Sequence, residues 1–384
     1  MVGKGRAMAG TVTWSLLREL ASFRAEKGCA ISLYLNLDPS DVPTAGDAQT
    51  RMNSMLNAAD KTDRTDLTHE QRMSLKADFE RIAQWFDEDF ERDGSQGLAV
   101  FSARLDNSWR TLALPAPVED YAKVGRDFYL APLAPLIGRA DGTIVAVVGR
   151  EEGQLYRLRG GRLEEIAEHF DETPGQHDQG GWSQARYQRH IEKLVHEHLK
   201  GVAEELDRSR RQLQAPKIVL VCSDDMRSEF LDALSAEARA SLVGWTPAKS
   251  HATPAELLEV VKPVLAEAEA KNESEAIERW REEAGRNGRA ASGWEQTLEA
   301  ASDARVELLL FQRGADRPAF RCSACGRAAI SEGSCPLDGT RLEATDAGLD
   351  LAVRQTLAHG GAVWAIRHHE DLAPVEGIGA LLRF

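Results

Sequence analysis

Gly180-Gly181-Trp182-Ser183-Gln184-Ala185-Arg186-Tyr187-Gln188-Arg189 joins a polar loop to a basic helix, and the rest of the chain is ordered around that joint. Adjacent glycines reach backbone conformations and close approaches that a Cβ forbids, so they suit a loop tip pressed into a crowded target. Upstream, Asp171 to Gln179 is polar and rich in helix and strand breakers, which makes the segment a long exposed loop. Downstream, Tyr187, Ile191, Leu194, His198, Val202 and Leu206 recur at helical spacing, with Arg186, Arg189, Lys193 and Lys200 mostly off that stripe. A loop tip carried on a rigid, cationic helix is the implied arrangement. Two plainer readings stand beside it: a Gly-Gly turn, and cations that pair with Glu192, Glu197, Glu204 and Glu205 along the helix.

The periodicities on either side give an α/β protein. An amphipathic helix is predicted over 12–27 through Trp14, Leu17, Leu20 and Phe23, followed by a half-buried strand over 30–37. Leu75, Phe79, Ile82 and Phe86 mark another long helix, and Gly97 to Phe101 a buried strand. Strands at 143–149, 153–158 and 162–167 read as a meander. The helix from Gln184, a strand at 217–222 and a strand near Leu242 complete a mixed sheet. From about Lys271 a further α/β unit runs to the last residue. The expected domains are 1–137, 138–268, which carries the Gly-Gly loop, and 269–384.

Composition bounds the function. The 384 residues are 42% hydrophobic and 28% charged, enough for two or three cored domains without disulfide staples. No apolar run reaches the length of a membrane span and no secretory apolar region opens the chain, so a cytoplasmic location and no membrane partner are expected. The net charge of −14 weighs against an RNA partner. The basic stretch from Arg186 to Lys217 offsets this locally, because a cationic rod on an acidic body meets RNA in one orientation.

Three of the five cysteines lie close together, in Cys322-x2-Cys325-x9-Cys335-Pro336-Leu337-Asp338. Two short knuckles suit tetrahedral zinc, with Asp338 where a fourth thiolate would stand. The choices are a structural Cys3Asp zinc site of Cys322, Cys325, Cys335 and Asp338, or a knuckle that folds without metal. Asp224-Asp225 after a central strand suits either a helix cap or the carboxylates of a metal-dependent nuclease, and the cap is favoured. His368-His369 has no assignable partner and is expected at the surface.

The run from Gly180 through Arg189 to Glu204 resembles the central domain of archaeo-eukaryotic class-one peptide release factors and their Pelota relatives, in their bacterial branch. Gly180 and Gly181 fall on the glycines of that family's Gly-Gly-Gln loop, Arg186 and Arg189 on basic helix positions, and Tyr187 on an aromatic one. Trp182 stands where the catalytic glutamine would be, and Gln184 follows two residues later. Ile31 to Leu37, Gly142 to Val148, Gly293 to Glu299 with Arg305 to Phe311, and Gly377 to Arg383 are similar to further segments of the same family, in order. The resemblance implies three α/β domains, the central one a ribonuclease-H-like mixed sheet and the third a ribosomal-protein-like α/β sandwich with the Cys-rich knuckle inserted.

The functional roles implied are catalysis by Gln184 with Gly180 and Gly181, and RNA contact by Trp182, Arg186, Arg189 and Lys193. Partners implied are the ribosome, through its RNA and peptidyl-tRNA, and a translational GTPase. No Asn-Ile-Lys-Ser stop-codon loop is present: the region compared with it reads Arg51-Met-Asn-Ser-Met-Leu-Asn57. The expected function is therefore codon-independent peptide release or rescue, hydrolysing peptidyl-tRNA through the Gly-Gly-x-x-Gln loop. Non-catalytic occupation of the ribosomal A site during hibernation or stress is the alternative, and a ribonuclease-H-type nuclease is third.

Overall fold

The computed structural model describes residues 12–61, 67–92, 94–136, 143–159, 161–170, 184–213, 217–247, 252–286 and 288–384. The chain divides into two compact units, one of Ala140–Asn272 and one of Met1–Arg139 with Glu273–Phe384.

In chain order the N-terminal segment forms α1 (Trp14–Ser22), β1 (Ala30–Asn36), α2 (Ala45–Lys61), α3 (His69–Glu88), β2 (Gly97–Ala103), β3 (Ser108–Leu114) and β4 (Tyr121–Gly125). Helix starts are set by side chains that satisfy first-turn N–H groups. The Leu16 N–H donates to Thr13 Oγ1 at 3.2 Å, and Thr68 with Gln71 forms a reciprocal capping box at α3. The antiparallel sheet runs β3-β2-β1-β4.

Strand β1 is buried on both faces rather than half-buried. Ile31, Leu33 and Leu35 face α2 and α3, while Tyr34 enters the core on the other side. Ser32 and Tyr34 are admitted there because each finds a partner: the Tyr129 N–H donates to Ser32 Oγ at 2.9 Å, and the Tyr34 hydroxyl donates to the Tyr129 carbonyl at 2.5 Å. The segment Arg51–Asn57 lies in the middle of α2, with Met52 and Leu56 buried.

The central unit holds β5 (Ile144–Val148), β6 (Glu152–Arg159), β7 (Arg162–Phe170), α4 (Gln184–Leu213), β8 (Ile218–Val221), α5 (Asp224–Ala233), α6 (Ala236–Ala240), β9 (Leu242–Thr246) and the first part of α7 (Pro254–Gly285). Its sheet has the order β7-β6-β5-β8-β9. Strands β6 and β7 form an antiparallel meander on β5, while β8 and β9 are parallel to it. This is the mixed sheet expected of the central unit.

Helices cover both faces, which is why β5 and β8 read as continuous apolar runs. Ile144, Ala146, Ile218 and Leu220 face α4 and α5. Val145, Val219 and Val221 face Leu257, Val261 and Leu265 of α7.

The C-terminal segment contains the rest of α7, then β10 (Ala290–Ser292), α8 (Gly293–Ser302), β11 (Val306–Gln312), β12 (Ala319–Cys322), β13 (Ala328–Ala329), β14 (Leu342–Thr345), α9 (Gly348–Ala358), β15 (Ala362–Ile366) and β16 (Ile378–Leu382). The main sheet is β10-β16-β11-β15, with β11 and β15 parallel. It is an α/β sandwich: Leu309 and Phe311 face the core with α8 and α9, while Leu310 packs with Trp280 of α7 on the opposite side. A small sheet, β13-β12-β14, carries the cysteines as an insertion between β11 and α9.

One apolar core joins the N-terminal and C-terminal segments, including Leu17, Leu20, Phe101 and Phe128 from the first and Trp294, Leu309 and Ala352 from the second. Buried ions fix the junction. Asp127 takes Arg321 and, at 2.9 Å, Arg354. Asp350 Oδ1 accepts from the Leu130 and Ala131 N–H groups at 2.6 and 3.1 Å, closing the start of the 3-10 turn Ala131–Leu136.

His368 is exposed, as expected, but it does have a partner. Its Nδ1 lies 3.1 Å from Oε1 of buried Glu273, and the Arg367 and His368 N–H groups donate to Oε2.

Two outcomes follow from this packing. A Cβ on Gly153 of β6 would fall 2.4 Å from Val202 Cγ2 of α4. Gly153→Ala should therefore destabilise the protein by about 1–3 kcal/mol, read as an earlier midpoint in urea unfolding, and an unchanged midpoint would refute this seating of α4.

Burial lifts the Asp350 carboxyl to about 6. A carboxyl whose folded pKa is raised contributes stability that is fully present below its unfolded value, near 4, and lost as pH rises through about 6. Wild type should lose roughly 2–3 kcal/mol relative to Asp350→Asn across that window, and parallel pH–stability curves for the two proteins would refute the assignment.

Candidate functional site

Helix α4 is the scaffold of the sequence-predicted site. Gly180, Gly181 and Trp182 lie outside the described residues. Gln184 is the first residue of α4 and Arg186 lies in its first turn, with the backbone of both helical. The seated face comprises Val195, His198, Leu199, Val202, Ala203 and Leu206, all buried. That adds Val195, Leu199 and Ala203 to the apolar stripe, because a 3.6-residue repeat needs alternating steps of three and four.

Arg189 and Lys193 face solvent. Lys193 Nζ lies 3.5 Å from Glu197, Lys200 lies 3.9 Å from Glu204, and Arg208 pairs with Glu205. The Lys193 and Lys200 pairs are largely exposed, with side-chain accessibilities of 59–71%, so each contributes little and exchanges readily for a phosphate. Between Gln184 and Leu213 there are seven Lys and Arg against five Asp and Glu, a small cationic excess on an acidic chain. Paired glutamates and an available cationic face thus coexist.

Asp224 and Asp225 open α5 as exposed first-turn residues behind the N-cap position Ser223. Among the described residues they join no cluster of potential metal ligands. A helix start is all that their placement requires.

The cysteines, by contrast, converge. Cys322, Cys325, Cys335 and Asp338 bring one ligand atom each to within 4.8 Å of one another. The sulfurs of Cys325 and Cys335 are 3.5 Å apart, and Cys322 Sγ lies 3.4 and 3.6 Å from the two Asp338 oxygens. A tetrahedron with metal–sulfur bonds of about 2.3 Å has edges of about 3.8 Å, so the cluster is close to the dimensions of a four-ligand shell.

Its two halves are built alike. The Gly326 N–H donates to the Cys322 carbonyl and the Gly339 N–H to the Cys335 carbonyl, both at 2.9 Å. The Cys322 N–H donates to the Arg327 carbonyl and the Cys335 N–H to the Thr340 carbonyl, both at 2.8 Å. Both glycines have positive φ, near +80° and +74°, which a side chain would strain. The matching Cys-x2-Cys-Gly and Cys-x2-Asp-Gly spacing is the signal in the sequence that marks Asp338 as the fourth member and Gly326 and Gly339 as its supports.

Electrostatics prepares three of these groups. The Cys325 N–H holds the Cys322 thiol below its usual value, and the Thr340 N–H holds Asp338 well below the carboxylate range. Desolvation pushes Cys325 up to about 12. Ligation requires a thiolate, so a cation entering this site expels the Cys325 proton.

With the geometry described, similarity to known proteins becomes informative. Residues 129–269 match the family model described as bacterial archaeo-eukaryotic release factor family 10. The resemblance to that family is borne out. Peptide chain release factor subunit 1 of Archaeoglobus fulgidus is 24% identical over 329 residues, covering 81% of this chain and 78% of that protein. The same subunit of Methanopyrus kandleri is 28% identical over 223 residues, covering 55% and 54%. The solved structure of Archaeoglobus fulgidus Pelota is 17% identical with a TM-score of 0.34, covering 75% of this chain and 79% of that one.

The cluster yields its own test. Cobalt(II) added to the reduced protein should bind one ion per chain, with sulfur-to-metal charge-transfer absorption. Asp338→Ala should weaken it by at least the 10–100-fold typical of lost supporting groups, and absorption unchanged by Cys335→Ala would exclude this site.

Proposed function

We propose that the protein acts on ribosomes in the cytoplasm as a codon-independent peptide release or rescue factor that hydrolyses peptidyl-tRNA through Gly180-Gly181-Trp182-Ser183-Gln184. The observation that carries this reading is similarity to a peptide chain release factor along 81% of the chain. The mixed sheet supports it by fixing a 30-residue helix directly behind the two glycines. Codon independence is supported by Arg51–Asn57, which lies in α2 and carries no Asn-Ile-Lys-Ser motif.

The glutamine amide is not a base near neutral pH, so its contribution is positional. It orients a water against the ester carbonyl or donates to the developing oxyanion. Its place at the start of α4 adds first-turn N–H groups without intrahelical partners and the positive end of the helix dipole, both of which favour negative charge. In this reading Arg186, Arg189 and Lys193 contact RNA phosphates, and Trp182 stacks on an unpaired base. Partners are ribosomal RNA, peptidyl-tRNA and a translational GTPase. Zinc is the ion assigned to Cys322, Cys325, Cys335 and Asp338, in a structural role, since the protein ligands already fill a tetrahedron.

A second reading is favoured by one departure: Trp182 occupies the position at which the family's glutamine is expected. In it the protein holds the A site without chemistry, as a hibernation or stress factor. Peptide release from purified stalled ribosome–nascent-chain complexes separates the two. Gln184→Ala should slow release by about 10²-fold or more while ribosome binding persists. Co-sedimentation with no release by wild type would establish the second reading instead.

A further inference from the structure

We propose that the cleft between the N-terminal and C-terminal segments is a binding site for a small phosphate-class anion. The cavity has a volume of about 170 Å³ and lies between the end of β4, β12 and the start of α9. Lys123, Arg126, Arg321 and Arg354 line it. Four cations in one cleft are unusual for a chain with a net charge of −14. Arg24 stands close behind, where the fields of Arg321 and Arg126 depress it after burial has done so. Burial, and then the charge of Arg24, brings Arg354 down to about 10.

Three acids share the wall and Asp346 lies 4.0 Å from Lys123 Nζ, which leaves Arg126 as the lining cation without a carboxylate partner among the described residues. Asp127 is saturated, with Oδ2 taken by Arg321 and Oδ1 by Arg354. Asp350 is committed through Oδ1 to two backbone N–H groups. Glu343, opposite Arg321 in the β12–β14 ladder, is exposed.

Donors remain as well. Arg24 and Arg126 spend their hydrogen bonds on the Ser323 and Ala25 carbonyls, at 2.5 and 3.4 Å, instead of on carboxylates. Arg126 is exposed and so open to a ligand, and a guanidinium fork matches phosphate oxygens.

Size narrows the ligand. Sites for drug-sized molecules span about 300–1,000 Å³, so this cavity takes orthophosphate or pyrophosphate and not a whole nucleotide. Binding would clamp the two segments together, because Lys123 and Arg126 come from one and Arg321 and Arg354 from the other.

Isothermal titration of the full-length protein with orthophosphate and with pyrophosphate tests this, using chloride and acetate at matched ionic strength as controls. One saturable site is expected for a phosphate-class anion. Arg126→Gln and Lys123→Met, both on the rim, should each weaken it about tenfold, the loss of one charge-assisted bond, and the exposed Arg126→Gln should do so with its unfolding midpoint unchanged. Arg321→Gln should abolish it. The proposal is overturned by no saturable heat up to about 10 mM, by an equal response to acetate, or by rim variants that bind like wild type.

Discussion

Val202 against the bare backbone of Gly153 is the contact on which the candidate site depends, because it lets a 30-residue helix lie directly on β6. A helix held only by its own hydrogen bonds frays, and most helical stability in proteins comes from packing one face. Here Val195, Leu199, Val202, Ala203 and Leu206 seal that face onto Ile144, Ala146 and Leu155. The exposed flank is thereby left free to carry charge. Arg189 and Lys193 are presented by a rod whose orientation is set by the sheet, not by the loop in front of it.

The same logic of commitment explains the acidic composition. Many carboxylates are consumed internally: Asp127 by two guanidiniums, Glu273 by two backbone N–H groups and His368, and Asp106 by the N–H groups of Glu26, Lys27 and Gly28. Net charge therefore says little about which surface meets a polyanion. What matters is whether the local cations lie in a cleft of about 170 Å³, as Arg321 and Arg354 do, or on an open helix face in exposed pairs such as Lys193–Glu197. Only the second kind is readily available to RNA.

How far the sequence disclosed this depended on whether the signal was local. Strands β5 and β8 were legible because burial on two faces leaves unbroken runs, Ile144–Val148 and Ile218–Val221. The meander β5-β6-β7 was legible from its turn glycines. Helix α2 was not, since Ala48, Met52, Leu56 and Ala59 give a thin stripe in a polar segment. Helix α7 was hidden by the run Glu267–Glu275, which separates the stripe Leu257, Val261, Leu265 from Ala276, Ile277 and Trp280. The partner of His368 lies 95 residues away, and no periodicity encodes such a contact.

The cysteine cluster shows how the two kinds of information combine. Spacing alone left a choice between a metal site and a knuckle folded without metal, because Asp338 breaks the four-cysteine pattern. Three-dimensional structure restores the symmetry: two backbone hydrogen bonds of the second knuckle match those of the first, and Asp338 stands where Cys325 stands in its own half. At 3.4 Å the Cys322 thiol donates to an Asp338 oxygen, and the two groups repel only once both are ionised. A shared cation would remove that repulsion, and the matched turns hold four potential donors within 4.8 Å of one another.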